Sequence, residues 1–225
     1  MKISIVIPTL NEEQNLPIVL EELKRELDKR NLEYEIIIVD GYSEDKTVDM
    51  ARSFNTKVIF DKRGKGSSLR KGMDLAKGDI IITIDADCSN ISSEMGLLIE
   101  GINSGFDICM GSRFIQGGGT DDMEWYRKIG NKFFIFFVNL FWKMNYSDLC
   151  YGYRSFNKKA AEKLLPHLSC DGFGIETEIA IKAVKLRLNV LEVPSYEKAR
   201  KYGKGKLKTF RDGWRVLMTI IKELF

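Results

Sequence analysis

The chain has 225 residues, 44% of them apolar, and carries a formal net charge of +3 with a single histidine. That length supports one full hydrophobic core and lies within the range of a single α/β domain, so one domain over residues 1–225 is expected. The near balance of charge excludes a general polycation, and any attraction to anions must come from local clustering.

Cys88, Cys109, Cys150 and Cys170 are widely spaced and form no CxxC pair. This argues against a zinc site or a disulfide framework and makes a reducing cytosol the simplest compartment. The opening MKISIVIP lacks the basic flank, long apolar core and cleavage site of a signal peptide and reads as a first strand. The longest apolar stretch, Phe133 to Trp142, is interrupted by Asn139 and bounded by Lys132 and Lys143. It falls short of the roughly 20 residues a membrane helix needs.

In chain order, Ile3 to Pro8 is a β-branched run, followed by a helical pattern from Asn15 to Arg30 with Leu16, Val19, Leu20, Leu23 and Leu27 on one face. The alternation continues with a strand at Tyr34 to Asp40, a helix at Asp45 to Phe54 and a strand at Lys57 to Phe60. A helix at Ser67 to Lys77, a strand at Asp79 to Asp85, a helix at Glu94 to Ser104 and a strand at Asp107 to Met110 complete the first half. Such alternation with near-continuous apolar strands predicts a mostly parallel central sheet flanked by helices. After Arg113 come the glycines 117–119, an aromatic helix from about Asp122 to Lys143, and a strand at Asp148 to Phe156. Helices near Ala160 to Leu165 and Ile175 to Arg187 and a strand at Val190 to Pro194 follow, with no linker and no internal repeat.

Ligands of parallel sheets sit beyond the carboxyl ends of the strands. Here those exits are Pro8-Thr9-Leu10-Asn11-Glu12, Asp40-Gly41-Tyr42-Ser43, Asp85-Ala86-Asp87 and Gly111-Ser112-Arg113, so carboxylates and an arginine converge on one edge. Two aspartates one residue apart can present both carboxylates to one hard cation, Mg2+ or Mn2+. Such an ion stabilises the charge that develops on a leaving diphosphate. An isolated DxD is often only a solvated turn, but here the buried run Ile80 to Ile84 delivers it to the ligand edge.

With these residues in view the chain resembles a family 2 glycosyltransferase of the dolichol-phosphate mannose or glucose synthase branch. The resemblance is carried by Ile7-Pro8-Thr9-Leu10-Asn11-Glu12, Val39-Asp40, Asp85-Ala86-Asp87, Gly111-Ser112-Arg113, Gly117-Gly118-Gly119, Gly152-Tyr153-Arg154 and Lys204-Gly205-Lys206-Leu207, in order along nearly the whole chain. It implies a GT-A (Rossmann-like) fold, with residues 1–113 as the nucleotide-sugar half, 114–197 as the acceptor side and 198–225 as a basic amphipathic segment. It further implies that Pro8, Thr9, Leu10, Glu12 and Asp40 bracket the nucleoside, and that Asp85, Ala86 and Asp87 engage metal and diphosphate. Arg113 would face the donor, and Arg200 and Lys206 would close over phosphate. The chain departs from the family pattern at Gly41, where a second acid is frequent, at Ser89, where glutamine is common, and at Gly130-Asn131 in place of a serine-arginine pair.

Arg63-Gly64-Lys65-Gly66 precedes a helix whose amides and dipole would suit a phosphate, with Lys65 at hand, although an ordinary glycine turn reads equally well. Arg127 and Arg154 join Arg200 and Lys206 as candidates for the acceptor phosphate. A lipid phosphate is ionised at neutral pH and needs no base to attack the anomeric carbon, and the resemblance implies inversion. A sugar hydroxyl, the alternative acceptor, needs a base. Glu176 and Glu178 are candidates, with Glu178 taken as the catalytic one, while the sole histidine, His167, sits beside Pro166 in a loop.

A polyprenyl (dolichyl) phosphate acceptor implies a peripheral enzyme at the cytoplasmic face of a membrane. The aromatic helix is one contact candidate, with core or homodimer packing as its alternative. The other is Lys198 to Arg211, which has seven basic residues and no acid and precedes the amphipathic run Trp214 to Phe225. No nucleic-acid motif accompanies this patch. A sugar-nucleotide pyrophosphorylase is disfavoured because the first strand exit is not a glycine-rich, arginine-bearing loop. The intact DxD disfavours a non-catalytic surface module.

Overall fold

The computed structural model describes residues 1–225. The first half runs β1 (Lys2–Thr9), α1 (Leu16–Lys29), β2 (Glu33–Asp40), α2 (Thr47–Ser53), β3 (Lys57–Phe60), α3 (Lys65–Asp74), β4 (Ile80–Thr83), α4 (Met95–Asn103) and β5 (Ile108–Ser112). The second half adds β6 (Gly119–Thr120), α5 (Trp125–Trp142), β7 (Arg154–Asn157), α6 (Lys158–Leu164), α7 (Ile175–Lys185), β8 (Val190–Pro194), β9 (Tyr196–Glu197) and α8 (Thr209–Lys222).

Seven strands form one sheet in the order β3-β2-β1-β4-β7-β5-β8, in which only β7 runs antiparallel. A separate two-residue ladder pairs β6 with β9. Alternate side chains on the strands feed two cores. Val6, Ile37, Val39, Ile81, Met110 and Phe156 face Leu69, Met73, Ile179 and Val216 on one side. On the other, Ile5, Ile7, Ile38, Ile82 and Cys109 face Leu16, Leu20, Leu23, Leu98 and Ile99. The periodic apolar face of α1 is buried as its spacing predicts, and Pro17 sits in the first turn, where its missing N–H leaves no ladder bond unmade.

Two differences from expectation bear on the site. The strand expected at Asp148 to Phe156 is regular only from Arg154. The Arg154 side chain draws the carbonyls of Leu149 and Tyr151 onto its guanidinium, at 3.0 and 2.9 Å, which takes them out of any ladder. Helix α3 starts at Lys65 rather than Ser67, entered through Gly64 at φ +137°, a conformation that favours glycine.

Candidate active site

The exit of β4 turns sharply. Asp85 N donates to Asn90 Oδ1 at 3.0 Å, Ser89 N donates to Asp87 Oδ1 at 3.1 Å, and Cys88 sits at φ +66°. The turn presents both carboxylates to the C-terminal edge of the sheet, where each has acquired a cation. Lys65 Nζ lies 2.7 Å from Asp85 Oδ1 and 2.9 Å from Glu176 Oε1. Arg200 lies 3.2 Å from Asp87 Oδ2 and 2.8 Å from Glu12. Glu12 is held in turn by Asn15 Nδ2 at 2.7 Å.

Burial raises the Asp85 pKa, and the charges of Asp87 and Glu176 push the same way, against the pull of Lys65. Burial opposes the charge on Lys65, but Asp85 and Glu176 outweigh it and hold the ammonium protonated. Glu176 Oε1 has this ion pair but no aligned hydrogen bond. A Cβ at Gly152 would meet Lys65 Nζ, Asp85 Oδ2 and Glu176 Oε1 at 3.1, 3.2 and 3.3 Å, so glycine leaves room where the three converge.

The donors here are carboxylate oxygens, and no set of three acids, histidines or thiols forms a cage. Such a set fits Mg2+ or Mn2+, which keep water and substrate phosphate among their ligands, better than zinc, which takes nitrogen and sulfur. Lys65 and Arg200 already rest on the two aspartates as stand-in cations, and with Glu176 and Glu12 the cluster holds four carboxylates against these two cations.

On the neighbouring exits, Thr9 Oγ1 and Ser43 Oγ donate to Asp40 Oδ2 at 2.8 and 2.6 Å, and Ser43 N donates to Oδ1 at 2.7 Å. The Asp40 carboxylate is therefore spent on tying the exits of β1 and β2 together. Beside it Leu10 and Tyr42 are exposed, with Tyr42 packed on Phe60 at 5.3 Å between ring centroids. Leu10 and Tyr42 thus expose apolar surface beside Gly41. Tyr42 and Phe60 were not singled out from the sequence, and their only signal was an aromatic residue at a strand exit.

Several other predicted residues serve the scaffold. Arg113 is buried, its Nε 2.6 Å from Asp148 and its Nη1 3.0 Å from Glu197, and these carboxylates hold it charged against the cost of burial. It pins β5 to β9 and, through the bond from Asn131 Nδ2 to Asp148 at 3.0 Å, to α5. Arg154 is 1% exposed and spends its donors on the carbonyls of Leu149, Tyr151 and Glu176, so it is not positioned for an acceptor phosphate. Glu178, 2% exposed, accepts from Ser169 N, Ser169 Oγ and Cys170 N. That commits the buried carboxylate to the turn, so Glu176, paired with Lys65, is the α7 glutamate that reaches the site. The start of α3 is also occupied, because Asp171 O accepts from the amides of Gly66 and Ser67 at 2.9 and 3.3 Å. Those amides are closed to phosphate. Arg127, in the first turn of α5, lies near Asp122, which also feels Asp87 and Glu197. Lys206 stays exposed on the 203–208 loop.

The sequence profile of glycosyl transferase family 2 matches residues 4–165. Over 218 residues the chain is 35% identical to a dolichol-phosphate mannosyltransferase of Pyrococcus furiosus, covering 92% of this chain and 60% of that protein. It is 31% identical to the low-salt glycan biosynthesis hexosyltransferase Agl6 of Haloferax volcanii, covering 95% of this chain and 51% of that one. The chain thus spans between half and two thirds of the length of these relatives. Among solved structures it superposes on glucosyl-3-phosphoglycerate synthase from Mycobacterium tuberculosis, in complex with Mn2+, UDP and glucosyl-3-phosphoglycerate. The TM-score is 0.75 at 20% identity, over 99% of this chain and 79% of that one. The sheet is that of a GT-A fold, mostly parallel and flanked by helices. Profile, relatives and fold agree, and the chain belongs to glycosyl transferase family 2.

Proposed function

We propose that the protein transfers a hexose from a nucleotide sugar, GDP-mannose or a UDP-hexose such as UDP-glucose or UDP-GlcNAc, to a polyprenyl phosphate such as dolichyl phosphate, with inversion. The carrying observation is the pair Asp85 and Asp87 at the exit of β4, each already bearing a cationic side chain. A divalent cation bound there supplies electrostatic stabilisation to the departing nucleoside diphosphate. Lys65, fixed by Glu176, orients the Asp85 carboxylate. Arg200, paired with Glu12 and Asp87, stands at the same edge to meet a phosphate. Leu10 and Tyr42 offer the apolar surface for the base.

The state of the carboxylates supports a phosphate acceptor. Glu178 is committed to the Ser169 turn, Glu176 is 3% exposed and ion-paired to Lys65, and His167 lies in a 3-10 turn outside this cluster. A phosphate brings its own charge and needs none of these groups as a base. The Pyrococcus relative bears the name of a dolichol-phosphate mannosyltransferase, which supports the same acceptor class.

A membrane surface is the fitting place for such an acceptor. No helix is long and apolar enough to cross a membrane. Helices α5 and α8 pack on each other, and each exposes an apolar stripe, Trp125, Ile129, Phe133, Phe136 and Leu140 on the first and Phe210, Trp214, Met218 and Ile221 on the second. The basic segment 198–211 enters α8 directly, pairing apolar insertion with attraction to an anionic leaflet.

Purified protein with labelled donor, Mg2+ or Mn2+, and dolichyl phosphate is expected to yield chloroform-extractable label. Label appearing only on a soluble glycan would assign a hydroxyl acceptor instead.

A further inference from the structure

Away from the DxD turn, an open pocket of about 380 Å³ lies between the 169–174 turn, the Arg63 loop and the inner edge of α8. Its walls include Arg63, Arg215 and Lys222, with Met218 at the rim and Asp171-Gly172 as the floor. The side chains lining it and their neighbours comprise five cations, Arg63, Arg70, Arg211, Arg215 and Lys222, against four carboxylates, Asp61, Asp171, Asp212 and the Glu178 that holds Ser169 and Cys170. Asp61 takes Arg63 at 2.9 Å, Asp171 takes Arg70, and Asp212 takes Arg215 at 3.1 Å and Arg211 at 3.3 Å. Lys222 has no carboxylate partner and reaches only Ser169 Oγ, at 3.0 Å. The amides of Asp171 and Phe173 donate to no backbone carbonyl, the Gly172 amide faces the Cys170 sulfur, and open space surrounds Gly172.

We propose that this pocket is a binding site for a phosphomonoester. The net positive charge favours an anion, and guanidinium forks beside a lysine and turn amides are the donors that recognise a phosphate. The pocket's lining residues include none of Asp85, Asp87, Lys65 or Glu176. Asp171 O closes the start of α3, and the Phe173 ring sits 5.9 Å from Lys65 Nζ. The position favours a lipid source for the phosphate. Met218 belongs at once to the pocket rim and to the exposed stripe of α8 that carries Trp214. A headgroup would therefore enter as α8 settles on a bilayer. In that one respect the inference rests on the membrane reading given above.

The test uses the full chain, an Arg215→Gln/Lys222→Gln double variant and Lys222→Gln alone, all checked by thermal melting. Vesicles of phosphatidylcholine are mixed with either phosphatidic acid or phosphatidylglycerol and matched in surface charge. The basic 198–211 segment senses charge alone, whereas the pocket senses an exposed terminal phosphate. The unsubstituted protein is expected to favour phosphatidic acid by about tenfold, and the double variant to lose that preference while still binding phosphatidylglycerol vesicles. Lys222→Gln, which breaks no ion pair, is expected to lose part of it even if the double variant folds poorly. Calorimetry with glycerol phosphate and inorganic phosphate supplies the second arm. Should the protein bind no vesicle but take up glycerol phosphate in a manner lost in the variants, the membrane reading fails and the site stands with a soluble source. Equal phosphatidic acid preference in the parent and both variants overturns the proposal. So does the absence of any difference between parent and variants toward every phosphate tested.

Discussion

Asp85 and Asp87 differ in what surrounds them, and their substitutions should differ accordingly. Asp87 faces Arg200 at the mouth of the site and keeps about a quarter of its side chain in solvent. Asp87→Asn is therefore expected to lower kcat by about 100-fold or more while leaving the melting temperature nearly unchanged, because the lost charge matters chiefly to the leaving diphosphate. Turnover at the unsubstituted rate with metal present would refute the assignment. Lys65 lies deeper, shared between Asp85 and Glu176. Lys65→Ala leaves two carboxylates facing each other with no counter-charge, a loss of about 3 kcal/mol in urea unfolding. Mn2+ is expected to restore part of that loss in the variant and to stabilise the parent less. An equal effect of Mn2+ on both proteins would show that the ion does not take over the charge of Lys65.

At the scale of elements, two docking contacts carry separate predictions. Helix α3 crosses so close to the 170–172 turn that a Cβ on Gly66 would lie 2.8 Å from Gly172 O and 3.0 Å from the Asp171 carbonyl carbon. Gly66→Ala should cost about 1–3 kcal/mol, since backbone on both sides has little freedom to move. Helix α8 is moored by Glu223, whose carboxylate lies 2.8 Å from both Lys182 and Lys185 on α7. Burial pushes the Glu223 pKa up, but these two lysines outweigh it and leave it below the ordinary 4.5. A depressed carboxylate pKa contributes stability above the unfolded value, and that stability disappears as pH falls through the folded value. Glu223→Gln should therefore melt at lower temperature than the parent at neutral pH. The gap should narrow below pH 4.5 and vanish once Glu223 is protonated in the folded parent. A gap that stays constant down to acid pH would assign the mooring to packing instead.

Across the whole molecule, segment 198–202 joins the two ends of the chain over the site. Arg200 reaches Glu12 from the first strand exit and Asp87 from the fourth, while Asn15 exchanges hydrogen bonds with the backbone of Tyr202 at 3.1 Å. Arg200→Ala should free this strap. Limited proteolysis within 203–208 should accelerate, and KM for the nucleotide sugar should rise together with a fall in kcat. Unchanged cleavage would show that Asn15 alone suffices to hold it. The sequence by itself determined the alternation of elements, the apolar faces of the strands and of α1, the four strand exits and the DxD, because each is a local pattern of period, β-branching or adjacent charge. The tertiary structure alone decided the partners. Arg113, Arg154 and Glu178 carry the residue types of a phosphate site and a base, yet their donors and carboxylate oxygens are committed to Asp148, backbone carbonyls and the Ser169 turn. Conversely, nothing in the sequence brings Glu176 to Lys65 or Phe60 to Tyr42. A charge declares its sign in sequence, but its role depends on which groups desolvate it and neutralise it, and those come from residues distant along the chain.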